Sequence, residues 1–121
     1  MMEETLALED DVFFRDKMDE AAKLLKLIGN ENRLLVLYLL LQCGELSVGA
    51  IHQHMSLGQS ALSQHLGRMR EQGLITYRRE SQTLYYRISS PDIEKIVATL
   101  KDIYCPEEQD DSAQADALEM Y

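Results

Sequence analysis

The chain is expected to fold as a winged helix-turn-helix, mainly α with a β-hairpin wing, in the order helix, helix, short helix, turn, helix, hairpin, helix. Three observations carry this. Apolar residues recur at helical spacing over residues 12–28, 31–43, 59–72 and 91–104. Two β-branched and aromatic runs, LITYRRE and TLYYRIS, are separated only by Ser81 and Gln82. A short capped segment and the turn SLG stand directly before the polar-faced helix that the hairpin follows.

Each element has a local cause. Phe13, Phe14, Met18, Ala21, Leu24, Leu25 and Ile28 set the stripe of a first helix that Gly29 closes. Asn30 is placed to cap ENRLLVLYLLLQC, whose Leu34–Leu41 run is apolar almost all round and so belongs in the interior. Gly44 stops it, and Ser47 caps a short third helix, VGAIHQHM. In QSALSQHLGRMREQ, Leu62, Leu66 and Met69 form the buried face, and Gly73 ends the helix. Ser90, Pro91 and Asp92 give a cap, a proline at the first helical position and an acid in the first turn. A fifth helix with the stripe Ile93, Ile96, Val97, Leu100 and Ile103 follows. Three regions are expected: an acidic flexible start (1–11), one folded domain (12–105) and an acidic disordered tail (106–121).

The net charge of −9 argues at first against a nucleic-acid partner, but its distribution reverses that. Residues 1–20 and 106–121 each carry −6, leaving +3 on the middle of the chain. Arg68, Arg70, Arg78, Arg79 and Arg87 lie within twenty residues of one another, a local basic patch. On the fourth helix Ser60, Ser63, Gln64, Gly67 and Glu71 oppose the apolar stripe, and Gln59, Ser60, Ser63 and Gln64 are the expected DNA contacts there. Small hydroxyl and amide groups suit a helix in the major groove, where Gln pairs bidentately with adenine and Ser meets a base edge or a phosphate. Arg68 and Arg70 are expected at backbone phosphates, and Arg78, Arg79 and Gln82 on a wing reaching the flanking backbone. His65 borders the core stripe and fits either DNA contact or an internal hydrogen bond.

The first and fifth helices carry more apolar surface than one small domain covers, which predicts a twofold dimer through Leu24, Ile28, Ile93, Ile96, Val97, Leu100 and Ile103. Such a dimer presents two recognition helices to an inverted-repeat operator in double-stranded DNA. No Gly-rich phosphate loop, HExxH or nucleophile elbow is present, so an enzyme is not expected, nor is a cofactor. No membrane span is legible and the first residues are acidic where a signal peptide is basic, which predicts a cytoplasmic protein. A winged-helix protein-interaction module is the alternative from another class, since acidic tails oppose DNA binding.

The run ELSVGAIHQHMSLGQSALSQHLGRMREQGLITYRRESQTLYYRIS resembles the ArsR/SmtB family of dimeric winged-helix repressors, over roughly residues 20–105. The resemblance implies an operon repressed until an inducer, a metal ion or a thiol-reactive species, weakens DNA binding. One metal site of that family uses Cys-x-Cys where this chain has Ser47 and Gly49. Another, on the fifth helix, keeps its spacing here as Asp92, Glu94, Cys105 and Glu108 but loses both imidazoles, and one thiolate among carboxylates is a poor zinc site. No metal is therefore expected, with a metal-sensing repressor as the alternative. His52 and His54 are expected to face solvent or to cap.

Cys43 and Cys105, at the ends of the second and fifth helices, resemble instead the thiol pair of the SqrR, BigR and HlyU-like subgroup. That resemblance implies sensing of reactive sulfur or oxidant by linking the two sulfurs. A direct disulfide needs Cα atoms within about 4.4–6.8 Å, and a polysulfide chain tolerates more. Both sulfurs lie at helix C-termini, where the dipole opposes negative charge, and Glu107 and Glu108 follow Cys105. Slow reaction with peroxide is expected, favouring a persulfide donor. Two buried packing cysteines are the bland alternative.

Overall fold

The computed structural model describes residues 14–106; the two acidic termini, with Val12 and Phe13 of the expected first helix and Glu108 of the metal pattern, lie outside them. The elements are α1 (Met18–Ile28), α2 (Glu31–Cys43), β1 (Leu46–Ser47), α3 (Val48–Gln53), α4 (Gln59–Glu71), β2 (Ile75–Glu80), β3 (Thr83–Ile88) and α5 (Pro91–Tyr104). This is the expected winged helix-turn-helix order with one addition, β1. The expected first helix is interrupted: residues 14–16 are helical, Lys17 is a turn whose N–H closes back on Phe14 O at 2.9 Å, and α1 resumes at Met18.

Caps set the boundaries. Asn30 Oδ1 accepts from Arg33 N at 3.0 Å, Ser47 Oγ from Ala50 N at 3.1 Å and Ser90 Oγ from Ile93 N at 3.3 Å, each satisfying an otherwise unpaired first-turn N–H. An Asn30→Ala chain should lose about 1 kcal/mol of stability. For a domain of this size a melting curve would read that as a Tm lower by about 4–8 °C. Gly29 joins α1 to α2 where no side chain fits: a Cβ there would stand 2.8 Å from Leu25 O. Gly44 ends α2 at φ +82, in the left-handed region that favours glycine.

The sheet runs β1-β3-β2, all antiparallel, with Tyr77 opposite Tyr86 and Arg78 opposite Tyr85. Strands β2 and β3 turn through Ser81, at φ +58, and Gln82. Directly opposed residues share a face, so Ile75, Tyr77, Tyr86 and Ile88 face the helices while Thr76, Arg78, Tyr85 and Arg87 face outward. The core gathers Val36, Leu37 and Leu40 of α2, Ile51 of α3, Leu62, Leu66 and Met69 of α4, Ile75 of β2 and Ile93 of α5, all at most 2% exposed. α2 is buried along Val36, Leu37, Leu39 and Leu40, as its nearly all-apolar sequence requires.

The expected dimer stripe is corrected here. Ile28, Ile93 and Val97 are 3%, 0% and 3% exposed and belong to the chain's own core, so they are not available to a partner. Leu24 and Ile96 are partly buried against that core, Leu100 is half-buried, and Ile103 is exposed. Among the described residues the exposed large apolar side chains are Phe14, Met18, Leu25, Ile103 and Tyr104, again on the first and last helical segments, and of the expected stripe Ile103 is the one among them.

Candidate nucleic-acid interface and thiol pair

α3 and the turn 54–58 hold α4 at the surface. His52 Nε2 lies 3.0 Å from Leu57 O and closes that turn, while His54 is exposed. With Leu62, Leu66 and Met69 turned inward, Gln59, Ser60, Ser63 and Gln64 are exposed along the opposite side of α4. No bulky or charged side chain interrupts this strip, since Gly67 continues it. Arg68 and Arg70 stand exposed in the last turns of the helix. The Arg70 guanidinium lies 5.0 Å from the centroid of the Tyr77 ring, which itself meets Tyr86 edge-on at 5.3 Å. α4 and the wing are therefore tied where both approach the same surface.

Arg78 departs from its expected place. Its Nε and Nη2 donate to the two carboxylate oxygens of Glu45 at 2.9 and 3.0 Å, Nη1 reaches Glu80 at 3.4 Å, and the guanidinium stacks over Tyr85 at 4.6 Å. The Arg78 hydrogen bond, with Coulomb attraction from Arg78 and Arg87 and against some burial, holds the Glu45 carboxyl below the usual carboxylate range. Arg78 thus braces the segment before β1 against β2, with its charge already answered. Among the described residues Arg79 and Arg87 make no ion pair; with Gln82 they are exposed on the wing. Arg87 did not stand among the expected contacts although it belongs to the basic run.

His65 is turned to internal bonding. It is half-buried, and its Nδ1 accepts from Arg33 Nε at 3.1 Å while Arg33 Nη1 donates to Leu27 O at 2.8 Å. Burial first, then the charges of Arg33 and Arg68, push its pKa down. The folded chain therefore favours neutral His65, whereas the unfolded chain takes up a proton below about pH 6.5. Stability from this group is present above that pH and lost as pH falls. Denaturant unfolding from pH 8 to 5 should show the decline, and His65→Asn, which keeps an acceptor but cannot titrate, should flatten it.

The two thiols lie at one end of the molecule. Cys43 is the last residue of α2 and Cys105 caps α5, its N–H bonded to Lys101 O at 2.7 Å. Lys101 Nζ donates to Gln42 Oε1 at 3.0 Å, joining the turn before Cys105 to the residue before Cys43. Both cysteines are free and exposed, which corrects the alternative of buried packing residues. Among the described residues no group of three or more His, Cys, Asp or Glu is gathered as a metal site. No described helix is long and apolar enough to cross a membrane.

A polar helix presented behind a short helix and turn, flanked by a basic hairpin, defines a winged helix-turn-helix DNA-binding regulator. The chain belongs to the ArsR family: residues 30–77 match the family described as "Bacterial regulatory protein, arsR family". It is 43% identical over 90 residues to the transcriptional activator HlyU of Vibrio cholerae, covering 74% of this chain and 82% of that protein. The solved structure of reduced HlyU from Vibrio cholerae superimposes with a TM-score of 0.71 at 41% identity, covering 76% and 96% of the two chains. The crystal structure of the transcriptional repressor BigR from Xylella fastidiosa gives 0.72 at 34%, covering 78% and 96%. The chain is thus a transcriptional regulator of the HlyU and BigR kind rather than an enzyme.

Proposed function

We propose that this chain is a homodimeric repressor that occupies an inverted-repeat operator and is released when Cys43 and Cys105 become linked by reactive sulfur or oxidant. The observation that carries the reading is the Lys101–Gln42 bond, which joins the two thiol-bearing helix ends, at which both cysteines are exposed. Dimerisation through the exposed set Phe14, Met18, Leu25, Ile103 and Tyr104 puts Cys105 at the edge of the interface. A link to α2 would then displace α5, and with it the spacing of the two copies of α4. On DNA, Gln59, Ser60, Ser63 and Gln64 would read base edges, and Arg68, Arg70, Arg79 and Gln82 would meet the backbone. Arg78, held by Glu45, and His65, bonded to Arg33, stand outside that set.

The chemistry balances in either form. For a disulfide, the thiols lose two protons and an electron pair, which a peroxide takes up in becoming water or alcohol. For a polysulfide, each persulfide donor passes on its outer sulfur and leaves as a thiol, and one further donor sulfur takes the electron pair and leaves as hydrogen sulfide. A persulfide brings its own activated sulfur and is the favoured inducer; closure of the link by peroxide as fast as by glutathione persulfide at matched concentration would remove that preference.

The repressor reading is tested by binding of the reduced chain to an inverted-repeat promoter fragment, with affinity falling steeply with salt. No binding in reducing buffer at low salt would overturn it. One relative is named an activator and the other a repressor, so the sign is read by a promoter reporter. Raised expression on loss of this chain is expected, and lowered expression would contradict repression. Leu25, 59% exposed, tests the dimer: Leu25→Glu should sediment as a monomer and lose the steep DNA binding.

A further inference from the structure

A cleft of about 960 Å³ runs between α1 and the end of α4, away from the thiol pair. Its floor includes the half-buried Leu24 and Leu27, and its walls carry five basic side chains, Lys17, Lys23, Lys26, Arg33 and Arg68, against two acids, Glu20 and Glu71. Lys17 is paired with Glu20 and Lys23 with Asp19, whereas Lys26 and Arg68 have no acidic partner among the described residues. Arg33 spends Nε and Nη1 on His65 and Leu27 O, leaving Nη2 for another acceptor. This is a cationic trough with an apolar floor, and Arg68 belongs both to it and to the proposed DNA surface.

We propose that the cleft docks the chain's own first residues, MMEETLALEDD, and that this acidic segment competes with DNA phosphate for Arg68. The segment has five carboxylates and no base, and its Leu6-Ala7-Leu8 lies between the acidic groups Glu3-Glu4 and Glu9-Asp10-Asp11. That order matches apolar floor and cationic walls. It is tethered at the rim, since the described chain begins at Phe14 and Lys17 lines the cleft. Eleven extended residues reach up to about 36 Å, more than twice the roughly 16 Å length of α1. A short tether also supplies the segment at an effective concentration in the millimolar range. The acidic C-terminal segment is worse placed: α5 ends beside Gln42 at the C-terminal end of α2, whereas the cleft touches α2 at Arg33, near its N-terminal end.

The competition rests on the DNA reading of Arg68, but the docking does not, and the experiment separates them. A labelled peptide of residues 1–11 is titrated into a chain lacking residues 2–11, followed by anisotropy and by amide shifts. Saturable binding is expected, with shifts at Lys17, Lys26, Arg33 and Arg68 and an affinity roughly tenfold lower for the Lys23→Glu, Lys26→Glu chain. Absence of saturable binding, equal binding to the charge-reversed chain, or equal binding of a 107–121 peptide at the same residues overturns the docking. On a fixed inverted-repeat duplex the truncated chain should bind about threefold or more tighter than the full chain at low salt, the gap closing as salt rises. Peptide binding with equal DNA affinities overturns the competition. A full chain and truncated chain that both ignore DNA sink the repressor reading while the peptide titration still decides the docking.

Discussion

A Cys105→Ser chain should bind its operator as tightly as the parent in reducing buffer and should stay bound when glutathione persulfide is added. In the parent, linking the two sulfurs is expected to weaken DNA binding by about fivefold to over a hundredfold, the range of an ordinary allosteric coupling. In the variant the change should fall to within about twofold. Serine is close in size, the side chain at 105 is exposed, and the cap hydrogen bond is made by the backbone N–H, so the reduced fold should be undisturbed. Cys43→Ser should behave identically, and the double variant should add nothing, because one link needs both sulfurs. Full release in either single variant would contradict the account.

The second large effect concerns α4. Gln64→Ala removes an exposed amide from the middle of the strip, and loss of a bidentate base contact should cost about 1–3 kcal/mol, or roughly five- to 150-fold in affinity, with relaxed preference at one base position. Arginines of the wing should behave differently. Arg79→Ala is expected to weaken binding similarly across sequences and to reduce the salt slope by about one. Arg78→Ala should leave that slope nearly unchanged, because Glu45 and Glu80 already occupy its guanidinium. Affinities measured across a salt series on operator and scrambled duplexes separate the three.

Most of the fold was legible because its boundaries depend on neighbouring residues. Asn30, Ser47 and Ser90 cap donors three residues away, so each helix start could be seen in a window of four. Strand β1 could not: two residues show no period, and Leu46–Ser47 is a strand only because Tyr85 and Tyr86 arrive beside it. The bracing role of Arg78 is hidden from a local reading for the same reason, since its partner Glu45 lies 33 residues earlier. Arg33 is the one base in the leucine-rich α2, and a lone base there must find acceptors, here His65 and Leu27 O.

The surface proposed for dimerisation was half legible. A wide apolar stripe announces burial but does not divide its residues between the chain's own core and a partner. Ile93 and Val97 went to the core, while Ile103 and Tyr104, further along the same helix, stayed outside at 61% and 78% exposure. The two cysteines could be located at helix ends from sequence, but that the ends of α2 and α5 meet is a matter of tertiary packing, which the Lys101–Gln42 bond makes visible.

The most direct test of the central claim is intact mass measurement of the reduced chain after persulfide treatment, read beside DNA binding of the same sample. The account predicts a chain that has lost two hydrogens, with or without added sulfur atoms, that carries a bridge between the Cys43 and Cys105 peptides after digestion, and that has released DNA. DNA release without any Cys43–Cys105 bridge, or a complete bridge with DNA affinity unchanged, would contradict it.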